Sequence, residues 1–207
     1  MKKLVFLLWI FGFIDMETQA QPIINRFPSL TIPAHARGWA MGGTGIAGAN
    51  DNQQLSYNIG KTAFAQNLHQ ASISYLPWMR SVTNDSRLLH VDYLGSMGNA
   101  GALGFSINYL DLGNVAIRDE NGATLGLSKA NDFNIGSSYA LQLGANASIG
   151  VALRLLGSMY YAITSMSEYS MSGDIGFYQF ADLGEGAKLE WGAVVSNLGP
   201  SINLPGT

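Results

Sequence analysis

The sequence predicts an all-β fold, an antiparallel β-barrel wall that crosses a membrane, and three observations predict it. Seven stretches of about ten residues alternate apolar with small or polar side chains, an export signal opens the chain, and no apolar run is long enough to span a bilayer as a helix. In residues 101–110 the odd positions are Leu103, Phe105, Ile107 and Tyr109, and the even ones are Ala102, Gly104, Ser106 and Asn108. A barrel wall needs one face for lipid and another for a wetter interior, with all backbone groups satisfied by the strands themselves.

The signal reads in three parts. Lys2 and Lys3 precede an apolar run over residues 4–14, and residues 15–20 end on Thr18-Gln19-Ala20, the order of a secretory signal peptide. An uncleaved anchor is the alternative, but the run falls short of the roughly 20 residues that a spanning helix needs. Charged residues make up only 12% of the chain and hydrophobic ones 47%, without a second long apolar run, which argues against a helical membrane protein. The net charge of −3 gives no electrostatic footprint for nucleic acid, and the lack of cysteine rules out a disulfide scaffold or a thiolate metal site.

Strands are expected at residues 69–78, 87–96, 101–110, 132–143, 147–157, 171–180 and 188–196. Their lipid-facing sets comprise Ile73 and Tyr75; Leu89, Val91 and Tyr93; Phe133, Ile135, Tyr139 and Leu141; and Ile149, Val151, Leu153 and Leu155. The opposite sets hold Ser72, Ser74, His90, Asp92, Asn134, Ser138, Gln142, Ser148, Arg154, Asp174 and Glu190. Charges at Asp92, Arg154 and Glu190 are costly against lipid, so a polar lumen with salt links accounts for them. Trp78, Tyr109, Tyr160 and Tyr161 near strand ends fit an interfacial girdle, or ordinary strand propensity.

The connections are expected to alternate in length, short at 97–100, 144–146 and 181–187, longer at 79–86, 111–131 and 158–170, as outer-membrane barrels require. Within the longest, Asp119-Glu120-Asn121-Gly122 reads as the Asn-Gly turn of a small hairpin. A soluble secreted sandwich is the rival that alternation alone does not exclude. Seven is an odd count where single-chain bacterial barrels have an even one, and Pro205 and Gly206 make the end of the chain read as a loop. The strand set is therefore expected to be part of a larger barrel.

Catalytic and cofactor chemistry finds little support. Gly43-Thr44-Gly45-Ile46-Ala47-Gly48 matches G-x-G-x-x-G, but it lacks the preceding strand, the following long helix and the acidic residue about 20 positions on that a dinucleotide site requires. Its glycines suit a compact turn packed inside a barrel. His35, His69 and His90 show no helical i, i+4 ligand spacing, and no G-x-S-x-G is present. No catalytic residue, metal ligand or cofactor is assigned, and no enzyme is expected.

A family resemblance enters at residues 36–47, Ala36-Arg37-Gly38-Trp39-Ala40-Met41-Gly42-Gly43-Thr44-Gly45-Ile46-Ala47, and continues through Asp51 to Tyr57-Asn58-Ile59-Gly60-Lys61. This resembles the N-terminal segment of FadL-like outer-membrane proteins, where an Arg-x-x-x-Met-Gly-x-x-Gly pattern precedes an Asn-Pro-Ala element. Asn58 is kept here, while Ile59-Gly60 replace Pro-Ala. On this basis Arg37, Met41, Gly42, Gly43, Gly45 and Asn58 are expected to form a plug. The chain then divides into a signal at 1–20, a plug or hatch-like segment at 21–66 and barrel strands at 67–207.

A narrower resemblance follows at Tyr75-Leu76-Pro77-Trp78 with Asp85, at Tyr109-Leu110-Asp111-Leu112-Gly113-Asn114-Val115, and at the Asp119–Gly122 turn. These motifs, over residues 34–200, are similar to the PorV (LptO) family of type IX secretion. The resemblance implies a FadL-like barrel of roughly fourteen strands, of which about seven are present here. It also implies a non-enzymatic outer-membrane role: binding the C-terminal signal domains of secreted cargo and passing them to the surface attachment machinery. The partners implied are cargo domains, translocon and attachment components and outer-membrane lipid, with Asp119, Glu120, Asn121 and Gly122 in a candidate cargo-facing loop. The alternative is a FadL-like transporter of small hydrophobic molecules, which needs a continuous apolar pocket that Leu76, Leu88, Leu94 and Leu156 could line. A porin would need a channel that a packed plug opposes.

Cleavage after Ala20 should leave Gln21 as the first residue of the protein isolated from its native membrane, and intact-mass measurement reads this directly. A mass retaining Met1 would reverse the signal assignment.

Overall fold

Alternation along the chain becomes one antiparallel sheet of seven strands, paired in chain order and curled into a half-barrel. In this computed structural model the described residues are 27–48, 52–81, 83–119, 121–161 and 165–200. The expected signal and its cleavage site lie outside them, as do Asp51, Glu120 and residues 203–207. The strands are β1 (His69–Pro77), β2 (Arg87–Ser96), β3 (Ala102–Arg118), β4 (Thr124–Gln142), β5 (Ala147–Tyr161), β6 (Ser165–Gly184) and β7 (Ala187–Leu198).

Register converts the period of two into two chemically distinct faces. Ile73, Val91, Ile107, Ile135, Leu155 and Met171 pair in succession across β1 to β6, so one apolar row crosses the convex face. The adjoining row, His90, Asn108, Asn134 and Leu156, points the other way. Ile73, Tyr75, Leu103, Phe105, Val151, Leu153 and Leu155 are exposed, while Leu88, His90, Asp92, Leu94, Leu110, Asp132 and Asn134 are buried. A one-residue slip would exchange the faces and put Asp92 where Val91 stands.

Four expectations are corrected. The link at 111–131 is largely strand: β3 and β4 continue as one long hairpin to the pair Arg118 and Thr124. A bulge between Asp111 and Asn114 shifts the register there, breaking the alternation that marks a strand in sequence. The link at 158–170 likewise becomes the ends of β5 and β6, paired as far as Tyr161 and Ser165.

The Asn-Gly turn is instead a wider loop organised by Asp119. Its carboxylate accepts from the Asn121 and Ala123 backbone N–H groups at 2.9 and 2.8 Å, and the Asp119 N–H donates to the Ala123 carbonyl. Gly122 is in the left-handed region and Asn121 is not, so the two-residue geometry in which both adopt positive φ is absent. Trp78, finally, leaves the girdle and packs against Trp39, with ring centroids 5.2 Å apart.

The segment before β1 lies on the concave face. Short helices α1 (Ala36–Ala40) and α2 (Gln54–Tyr57) and 3₁₀ turns at Pro28–Leu30 and Ile59–Phe64 fold it into a compact segment packed on the wall, called the plug below for that position alone. Ile59 and Ala63 pack on Ala140 and Ala152, and Leu55 on Leu94 and Ala102. In a bilayer, replacing Val151 or Leu153 by Arg should cost about 2–4 kcal/mol near the midplane, measured by denaturant unfolding of the full-length protein in lipid vesicles. The same replacement at inward Ala152 should not follow that depth dependence.

Candidate functional site

The plug is seated by contacts that leave no room for side chains. Gly150 and Gly176 are paired across β5 and β6. A Cβ on Gly150 would lie 2.7 Å from the Gly60 nitrogen, and one on Gly176 would lie 2.4 Å from Asn58 Oδ1. Backbone thus rests directly on backbone. Asn58 is fully buried and uses its whole amide: Nδ2 donates to the carbonyls of Ile46 and Phe177 at 3.0 and 2.9 Å, and Oδ1 accepts from the Gly60 N–H at 3.1 Å. Ser148 Oγ donates to the Gly60 carbonyl at 2.7 Å, and Gln142 Nε2 to that of Ala63 at 2.8 Å.

The rest of the expected plug motif builds the turn after α1. The Gly42 N–H donates to the Trp39 carbonyl and the Gly43 N–H to that of Gly38, a Schellman stop that requires the positive φ of Gly42 at 68°. Met41 caps the helix and is exposed, as is Arg37 on α1. Gly45 lies under the ring of Tyr57. Burial there pushes the Tyr57 phenol above its usual pKa.

The plug also supplies partners to carboxylates on the wall. Lys61 is buried; its Nζ pairs with Glu190 of β7, donates to the carbonyls of Ala47 and Gly48 and lies 4.6 Å from the centre of the Tyr178 ring. His35 Nε2 is 3.1 Å from Asp92 Oδ2, and Ser29 Oγ donates to Asp132. Arg154 pairs with Asp174 on the neighbouring strand, so this salt link runs along the wall and not across the lumen.

At the end of the half-barrel opposite the short links, the motif residues form a clasp. Pro77 ends β1 opposite Arg87, and the loop that follows is closed by the Trp78 N–H on the Ser86 carbonyl at 3.0 Å. Asp85 accepts from Thr83 Oγ1 and from the backbone N–H and Nδ2 of Asn114, both at 2.8 Å; these bonds, Thr83 foremost, hold its carboxyl at about 2. Ser86 Oγ donates to the Leu112 carbonyl at 2.7 Å, and Arg87 pairs with Asp111 at 2.9 Å. Tyr75 borders the clasp from β1, and its ring-bearing face is exposed. The signal for Asn114 is the recurrence of Asp and Asn around a bulge glycine, which marks turn chemistry and not which carboxylate it meets.

Beyond the clasp, β3 and β4 pair only with each other among the described residues. The β2–β3 ladder stops at Arg87 and Asp111, and the β4–β5 ladder at Lys129 and Tyr161. From Lys129 to Thr124 the hairpin rises about 17 Å past the last pairs of those two ladders. Leu125 and Leu127 are exposed on it, beneath the tip formed by Asp119, Asn121 and Gly122. The clasp and the tip are separate places.

A model of the family described as type IX secretion system protein PorV matches residues 15–205. The chain belongs to the PorV family. No match was found among curated proteins. The PorV description names a secretion component and not an enzyme family. Within that family frame, a cleft of about 350 Å³ between plug and wall has a mixed lining, with Asn108, Asn134, Arg154 and Asp174 beside Ile32, Ile46, Leu55, Ile59 and Val194, while Leu88, Leu94 and Leu156 are buried and do not line it.

Replacing Asn58 by Ala should leave two carbonyls and an N–H without their partner, at a cost of about 2–5 kcal/mol to plug seating. Limited proteolysis of the full-length protein in detergent should then cut within residues 36–61 while heat-modifiable gel migration is retained.

Proposed function

We propose that the chain forms the plug and part of the wall of an outer-membrane barrel in type IX secretion, which receives secreted proteins by their C-terminal signal domains and passes them to the surface attachment machinery. Membership of the PorV family supports the secretion role, and the apolar convex face supports a place in the bilayer. With β1 rising from the periplasm, the clasp and the β3–β4 hairpin stand outside the cell.

The observation that carries the cargo-binding part is the hairpin itself. It projects past the ladders on either side of it, and the exposed Leu125 and Leu127 on it supply apolar contact for a β-rich domain. The clasp at Asp85 and Asn114 fixes the base of the hairpin, so the tip is held away from the membrane by a rigid root. Asp119, Glu120, Asn121 and Gly122 are its cargo-facing end.

Deleting residues 119–124 should lower co-purification of a secreted substrate's C-terminal domain with the full-length protein by about tenfold, or 1.4 kcal/mol, with barrel assembly unchanged. Uptake of a labelled fatty acid is measured in parallel. Uptake that depends on this protein, with no cargo association, would transfer the assignment to a small-molecule transporter.

A further inference from the structure

The histidine spacing that gives no helical metal motif conceals a strand one. His90 and Asp92 are two apart on β2 and share the concave face, and the plug brings His35 against them. Their ligand atoms lie within 4.8 Å of one another, and all three side chains are at least nine-tenths buried.

The surrounding hydrogen bonds decide what the imidazole of His90 offers. Asn134 Nδ2 donates to Ser29 Oγ at 3.1 Å, and Asn108 Nδ2 donates to Asn134 Oδ1 at 3.0 Å, which turns Asn108 Oδ1 toward His90 Nδ1. Nδ1 therefore donates to Asn108, and Nε2 is left turned toward Asp92. It lies 2.6 Å from Asp92 Oδ1, and neither His90 Nε2 nor His35 Nε2 makes an aligned hydrogen bond. Two imidazole nitrogens and a carboxylate oxygen thus converge in a buried place without aligned partners, and a bound cation would satisfy all three.

We propose that His35 Nε2, His90 Nε2 and the Asp92 carboxylate bind a divalent transition-metal ion of the zinc class, which ties the plug to β2. Two imidazoles and one carboxylate are a common zinc donor set, leaving the fourth position for water. Bonds of about 2.0–2.1 Å place tetrahedral ligands about 3.3 Å apart, so His35 already stands at the right separation and His90 needs a small outward shift. The supporting shell is present: Asn108 holds Nδ1 of His90, and Ser72 Oγ donates to Asp92 Oδ2 at 3.0 Å. The role of the ion is that of a staple, because one ligand comes from the plug and two from the wall.

The test uses the full-length protein purified in detergent and dialysed against Zn²⁺ alone, with bound metal counted by elemental mass spectrometry. One zinc per chain is expected, retained in His69→Gln, whose imidazole lies outside the cluster on Tyr93, and lost in His35→Gln and Asp92→Asn. Heat-modifiable migration verifies that each variant has assembled. Co²⁺ added to the unsubstituted protein should give the intense visible band of a four-coordinate ion, which decides the matter even if a variant fails to assemble. Chelation should also raise the rate at which protease cuts the plug. Absence of stoichiometric zinc and of the Co²⁺ band, or zinc retention in His35→Gln, would overturn the proposal and leave the trio as a proton-mediated ion cluster.

Discussion

The contact of the Asn58–Gly60 turn with the glycines of β5 and β6 is the constraint on which the rest of the arrangement depends. Main chain can approach main chain this closely only where neither partner carries a Cβ, so Gly150, Gly176 and Gly60 fix the depth of the plug to within tenths of an ångström. Asn58 then converts proximity into position, since each of its hydrogen bonds points to a different element. With that turn fixed, Lys61 reaches Glu190 and Leu55 reaches the floor formed by Leu94 and Ala102.

Buried charge follows from the same seating. Wall carboxylates on three strands meet a plug partner: Glu190 of β7 meets Lys61, Asp92 of β2 meets His35, and Asp132 of β4 meets Ser29. Such groups add little net stability, because desolvation cancels much of the attraction, but a plug shifted by one residue would take its partner away from each of them. Their contribution is therefore to register. The apolar contacts supply the adhesion, and the polar ones choose among the ways of adhering.

How much could be read from sequence tracks how local the cause is. Residues 89–93 alternate Leu89, Val91 and Tyr93 with His90 and Asp92, and β2 has the bounds that this core predicts. Past Asp111 the bulge at Gly113 changes the phase of β3, and a strand that changes phase looks like a loop. The Arg37–Gly45 segment could be recognised by pattern, but its physical content, a Schellman stop and a ring packed on Gly45, depends on Tyr57 many residues later. The meeting of His35 with His90 and Asp92 was hidden for a related reason. Two of the three follow a strand period, and the third is brought in by plug docking that no spacing encodes.

The ties of the plug are spread over nearly the whole arc, from β2 through β4 to β7, and the plug precedes every strand in the chain. A sheet can curl to many radii, and the hydrogen bonds between its strands are nearly indifferent to which one it adopts. A rigid body touching both flanks and the centre of the arc is not indifferent, because flattening the wall would pull β2 and β7 off their partners. The segment thus acts as a mandrel: a wall of any other curvature would have to give up one of these ties.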